Sequence, residues 1–248
     1  MASVNATPFE SEGYWDNRYM DPKQRKGEFF DWYCIGFAQV QDKIGPALQE
    51  ACHLHGTSVA LVDVGCGNSP FLYDAIEYLL HQRPSESSKC CSDLNTSSCA
   101  PHAAAYLRFI ATDFSNVVVQ QQKHQLAAKR KAFGESIVVD VLREDARESI
   151  GASAGTVGMV VDKATLDAVD CSGCPLDAEA VVLRCVEALV IGGYFVSLTC
   201  RPVGRRLETI QSAMTAIGSS CKLEQTIVAP LGNDPIAPSH VLMFRRVE

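Results

Sequence analysis

No apolar run in this chain is long enough to cross a bilayer. The most apolar stretch, Ala178 to Cys200, is broken by Arg184, Glu187 and Gly192-Gly193, which excludes an ordinary membrane span there. Positive charge is not in excess either. The formal net charge is −7, so neither nucleic acid nor an anionic membrane is an expected partner, and a basic protein surface suits the chain better. Met1 to Gly13 contains two glutamates, no arginine and no apolar core, and reads as neither a secretory signal nor a mitochondrial presequence. The eleven cysteines follow no small-domain framework; their odd number fits reduced thiols and a cytoplasmic chain. No standard zinc module is present. Cys90, Cys91, Cys99 and His102 have unsuitable spacing, Cys171-x-x-Cys174 lacks a second pair, and no metal is expected.

With 248 residues, 47% hydrophobic and 21% charged, the chain can form one α/β domain with one well-buried core. Residues 1–13 are expected to be flexible and 14–248 to form that domain. Aromatic groups at Tyr14-Trp15-Asp16-Asn17-Arg18-Tyr19 and Phe29-Phe30-Asp31-Trp32-Tyr33 mark an N-terminal helical cap over 14–56. Strands are predicted near 58–64, 106–111, 136–142, 157–161, 194–199, 223–228 and 240–246. Helical spacing falls between them at about 71–80, 115–131, 177–190 and 207–217. The helix near 115–131 carries Gln and Lys on its expected outer face. Residues 83–104, serine-rich with Pro84 and Pro101, read as an insertion loop. The alternation predicts a Rossmann-like, doubly wound, seven-stranded sheet, parallel except for a C-terminal antiparallel hairpin.

The most informative segment is Leu61-Val62-Asp63-Val64-Gly65-Cys66-Gly67-Asn68-Ser69-Pro70, an apolar strand entering a glycine turn ahead of a helix. Such a turn lets a ligand approach the backbone with no Cβ in the way. A dinucleotide fingerprint would require glycine where Pro70 stands. The acid before the turn, Asp63, suits a ligand with positive charge, and S-adenosylmethionine is the natural candidate. Ligands in open parallel sheets bind beyond the carboxyl ends of the strands, and here those ends carry Asp63, Asp113, Asp145 and Asp162. Asp113 can accept both ribose hydroxyls or cap the helix that follows. Ser115 can take the cap, which favours the ribose reading. Asp145, beside Arg143, Glu144 and Arg147, is either a ligand contact or part of a solvated charge run.

At these residues the chain resembles the seven-strand (class I) S-adenosylmethionine-dependent methyltransferases. More narrowly, it is similar to a methyltransferase-like group that includes lysine methyltransferases of eukaryotic elongation factor 1-alpha and of citrate synthase. The matching segments are Tyr14 to Tyr19, Phe30-Asp31-Trp32-Tyr33, Val64 to Ser69, Asp113-Phe114-Ser115-Asn116-Val117-Val118 and Val161-Asp162-Lys163-Ala164-Thr165-Leu166-Asp167-Ala168. Two departures stand out: Ala164 occupies a position where the group usually has glycine, and the 83–104 insertion is longer than the usual link.

The resemblance implies a cofactor set. Gly65, Cys66, Gly67 and Asn68 would admit the methionine part, with Asp63 organising the turn or reaching the α-ammonium. Asp113 would hold the ribose, with Ser115 beside it, and Phe114 would pack on the adenine. Asp145 and Ala146 would meet the adenine amino group. Trp15, Arg18 and Tyr19 would close from the cap, unless those aromatics merely pack the core. Asp162 and Asp167 would orient an incoming amine, with Tyr33 as a wall and Asp162 also near the cofactor; a local Lys163–Asp167 ion pair is the plainer alternative. The expected reaction is methyl transfer to a lysine of a protein substrate, an elongation factor 1-alpha-like target among them, releasing S-adenosylhomocysteine from a monomeric enzyme. A small-molecule methyltransferase and a non-catalytic S-adenosylmethionine-binding scaffold are the rival readings.

Overall fold

A computed structural model describes residues 8–21, 35–82, 106–218, 221–231 and 238–248. Phe29, Phe30, Trp32 and Tyr33 of the expected cap lie outside these residues, as do the 83–104 segment and its Cys90, Cys91, Cys99 and His102 group.

Seven strands form one sheet in the order β3-β2-β1-β4-β5-β7-β6. Five are parallel: β1 (Val59–Val64), β2 (Leu107–Asp113), β3 (Ile137–Arg143), β4 (Val157–Lys163) and β5 (Leu189–Thr199). β7 (Ser239–Arg246) runs antiparallel to β5, and β6 (Leu223–Leu231) antiparallel to β7 at the edge. Every residue of β1 and of β4 is buried. Strands covered on both faces can be continuously apolar, as the sequence of β1 is up to Asp63.

Side-chain alternation along these strands splits the core in two. Leu61, Phe109, Met159 and Val196 pack beneath α2 (Gln41–Ala51), α3 (Phe71–Gln82) and α4 (Asn116–Phe133), with α1 (Glu12–Met20) at the margin. Val62, Ile110, Val160 and Phe195 face α5 (Thr165–Asp170), α6 (Pro175–Ala188) and α7 (Val203–Ile217). The strand order reverses between β1 and β4, so a crevice opens beyond their carboxyl ends. Among the described residues no helix is long and apolar enough to cross a membrane.

Several boundaries differ from the sequence reading. Pro8–Glu10 forms a 3-10 turn and α1 begins at Glu12, two residues before the expected start of the cap. β5 starts at Leu189 and continues through Gly192-Gly193, because a register shift between Val157 and Met159 absorbs the irregularity. α7 starts at Val203, directly after Pro202. The short helix α5 has no apolar period of its own in the sequence.

Gly158 in β4 sits against the end of α2, where an added Cβ would overlap the Ala51 carbonyl oxygen. Gly158→Ala is therefore expected to lower stability by about 1–3 kcal/mol, read from urea unfolding; an unchanged midpoint would show that α2 can retreat.

Candidate functional site

The site is built from backbone first. After Val64 the chain turns through Gly65 (φ 58°) and Gly67 (φ 56°). A Cβ on Gly65 would collide with the Thr165 side chain, and one on Gly67 would lie 2.8 Å from the Tyr19 hydroxyl oxygen. The Asp113 carboxylate bridges this turn to the start of α4: Oδ2 accepts from the Gly67 N–H (3.0 Å) and Oδ1 from the Ser115 N–H (2.9 Å). Ser115 takes the helix cap, its Oγ accepting from the Val118 N–H at 3.3 Å and donating to Asp16 of α1. Gln122 Nε2 donates to the carbonyls of Gly67 (2.6 Å) and Ser69 (3.0 Å), and Gln125 Nε2 to that of Asn68 (3.0 Å). Gln122 is thus buried beneath the turn, not on the outer face of α4, because sequestered carbonyls require donors. Thr165 Oγ1 donates to the Val64 carbonyl at 2.7 Å and ties the far side to β1.

Above the turn lies a cavity that opens to solvent at its mouth. Gly65, Cys66, Gly67 and Asp113 form its floor. One wall is Phe114, Glu144, Asp145, Ala146 and Arg147; the other includes Lys163, Ala164, Thr165, Val169, Ser172 and Asp177. Phe9, Glu10, Trp15 and Tyr19 cover it from the N-terminal side. Trp15 Nε1 donates to the Phe9 carbonyl at 2.9 Å, and the Phe9–Trp15 and Trp15–Tyr19 ring centroids are 5.9 and 6.1 Å apart.

Other sequence candidates are placed elsewhere. Asp162 is fully buried on the α5–α7 side: it accepts from the Leu166 N–H (2.9 Å) and from Ser197 Oγ (2.7 Å), and so starts α5. Asp167 accepts from Thr199 Oγ1 (2.6 Å), the Cys200 N–H (2.9 Å) and Arg206 Nη2 (2.5 Å). Neither acid lines the cavity, because α5 turns Asp167 toward α7 while Lys163 enters the cavity from β4. Arg18 lies along α1, its Nη1 donating to the Tyr14 hydroxyl at 2.7 Å with the guanidinium over that ring. Asp63, Asn68 and Ser115 are buried around the turn and do not line the cavity. Tyr33 lies outside the described residues. Asp145 does line the cavity, but as half of a close ion pair with Arg147 (2.6 Å), which also reaches Asp177 (3.1 Å).

Sequence reasoning missed Phe9 and Glu10, which fell in the stretch expected to be flexible. Lys163 and Thr165 sit inside the Val161-to-Ala168 segment, whose two acids drew attention first. Asp177 has no local signal; its partner Arg147 is thirty residues away.

Burial pushes the Asp113 carboxyl up to about 6, against the pull of the Ser115 and Gly67 N–H groups. Asp162 is likewise raised by burial to about 6, opposed by Arg206. For Asp145 burial works upward, but hydrogen bonds from Arg147 outweigh it and hold the carboxyl below its ordinary value. Burial, reinforced by the charges of Asp113 and Asp63, holds the Cys66 thiol well above its ordinary value, so Cys66 lines the floor as a neutral thiol.

Two predictions follow from this geometry. Between roughly pH 4 and pH 6 the native state keeps protons on Asp113 and Asp162 that the unfolded chain has released. Their contribution to stability therefore falls as pH rises through that window and levels off above it. Asp113→Asn should flatten the slope of unfolding free energy measured between pH 4.5 and 6.5; an unaltered slope would refute the assignment. Ala164 has φ 70°, the one non-glycine positive φ among the described residues. Ala164→Gly should stabilise the fold by about 0.5–1 kcal/mol, the relief of left-handed strain less the added freedom of the unfolded chain; thermal unfolding measures the sign.

No family model matches the chain. The mitochondrial citrate synthase-lysine N-methyltransferase of Danio rerio is 26% identical over 167 residues, 64% of this chain and 54% of the relative. That of Pongo abelii is 28% identical over 185 residues, 71% of this chain and 64% of the relative. The chain thus spans less than two thirds of the length of either. Among solved structures, the N-methyltransferase NodS of Bradyrhizobium japonicum WM9, in complex with S-adenosyl-L-homocysteine, superposes with a TM-score of 0.55 at 14% identity, covering 96% of this chain and 98% of that one. The [4+2]-cyclase SpnF reaches 0.51 at 12% identity, covering 86% and 83%. A methyltransferase and a cyclase share this architecture, so it leaves the reaction to the site. In its strand order, reversed last hairpin and crevice, the chain has the class I S-adenosylmethionine-dependent methyltransferase fold.

Proposed function

We propose that the chain is an S-adenosylmethionine-dependent methyltransferase acting on a lysine side chain of a protein substrate. One observation carries the cofactor reading: a two-glycine turn, a buried carboxylate and a flat aromatic ring meet on one cavity. Gly65 and Gly67 let Thr165 and Tyr19 close on the turn, beside which the methionine part would lie. Each Asp113 oxygen accepts one backbone N–H and retains capacity for a ribose hydroxyl. Phe114 offers a face to the base. When bound, the cofactor supplies an electrophilic methyl group on a sulfonium.

The chain's own residues position and desolvate. Phe9, Trp15 and Tyr19 cover the cavity with apolar surface, and an amine beside them favours its neutral, nucleophilic form. Glu10 and Glu144 give the lining acids that suit a basic segment. Asp162 and Asp167 are committed to the α5–α7 side, so neither is assigned a part in orienting the amine. The protein-lysine acceptor is supported by the two lysine methyltransferase relatives. The cytosol stays the proposed compartment, on the seven free thiols among the described residues, although both relatives carry a mitochondrial designation.

Radiolabelled S-adenosylmethionine, incubated with the chain and a cell extract, should label a discrete protein band on lysine. Asp113→Ala should cut that labelling at least about tenfold through loss of ribose acceptance and of the turn. Label confined to small metabolites would overturn the protein acceptor.

A further inference from the structure

This inference rests on the cofactor reading and assigns the group that reads its base. The resemblance gives that task to Asp145, but the structure occupies Asp145 otherwise. Its Oδ1 accepts from the Arg147 N–H (3.0 Å) and Nε (2.9 Å), and its Oδ2 from Arg147 Nη2 (2.6 Å). A carboxylate offers about four acceptor positions, and one neighbouring residue takes three of them.

Asp177, in the first turn of α6, lines the same cavity. Arg147 Nη1 donates to its Oδ2 at 3.1 Å, and Oδ1 accepts no hydrogen bond among the described residues. The region beyond Asp113 is bounded by the Phe114 ring and by small apolar Ala146 and Val169, which suits a flat heterocycle. We infer that Asp177, not Asp145, accepts the hydrogen bond from the exocyclic amino group of the purine, and that Arg147 is a positioning residue holding Asp177 toward the cavity. A carboxylate at this place selects a 6-amino purine over a 6-oxo purine, whose oxygen would face it lone pair to lone pair.

Calorimetric titration with S-adenosylhomocysteine and S-inosylhomocysteine tests this. The wild type should prefer the adenosyl compound by about tenfold or more. Asp177→Asn, whose amide can donate to a 6-oxo group, should move that ratio toward the inosyl compound by about tenfold. Asp177→Ala should lose the discrimination without gaining inosyl affinity. Asp145→Asn should weaken both compounds together and keep their ratio within about threefold, because it acts through Arg147. The inference is overturned if Asp177→Asn keeps the wild-type ratio while Asp145→Asn collapses it. Wild-type protein that binds neither compound would instead overturn the cofactor reading, and the base assignment with it.

Discussion

The Asp113 carboxylate joins two pieces of chain through a single side chain. One oxygen fixes the glycine turn after β1, the other fixes the start of α4 after β2, and both bonds are buried. Removing a buried acceptor strands its donors at a cost of about 1–3 kcal/mol each, so the turn depends on this acid before any ligand arrives. The neighbouring strand-end bond, from the Cys66 N–H to the Thr112 carbonyl at 2.9 Å, and the glutamines of α4 extend the same scheme. The turn is supported by donors below it and presents its two glycines and the small Cys66 side chain to the cavity above.

The opposite wall depends on a buried charge cluster. Arg206 is fully buried and lies 2.5 Å from Asp167 and 3.0 Å from Asp170. Asp162 adds its charge nearby and starts α5 through Leu166. Burying these charges is costly unless geometry is good and the remaining polar atoms are satisfied; Thr199, Ser197 and the Cys200 N–H serve the acids, while Arg206 Nε and Nη1 have no hydrogen-bond partner among the described residues. The cluster fixes where α5 stands, and α5 carries Thr165, Ala168 and Val169 into the cavity. The segment from Asp162 to Ala168 thus serves the site through its small and hydroxyl residues, while its acids serve the helix that presents them.

The fold was legible because strand alternation, glycine turns and helix spacing are local signals, and β1, with all six residues buried, is the plainest of them. Asp113 was legible for the same reason: the end of the second strand is a defined place in this architecture. The roles of Asp162 and Asp167 were not, because each is settled by a hydroxyl or an arginine distant in sequence; that of Asp145 stayed open because a neighbouring Arg147 suits either reading. Arg206 lies 39 residues from Asp167 and carries no periodic mark. Phe9 and Glu10 were hidden by composition: a short 3-10 turn has too few residues to show a period.

Some of the groups that hold helix α1 to the domain are the ones that cover the cavity. The Glu12–Arg143 pair is 2.6 Å long but exposed, with side chains 36% and 57% accessible, and such a pair contributes about 0–1 kcal/mol. The Asp16 bond to Ser115 is local to the start of α4. Trp15 and Tyr19, at 5% and 6% exposure, add apolar burial against the turn and the cavity to that attachment. An occupant in contact with these rings adds to the surface they bury, so binding in the cavity and closure of the cap stabilise each other. The site is completed by a segment whose own hold on the domain is strengthened by what the site contains.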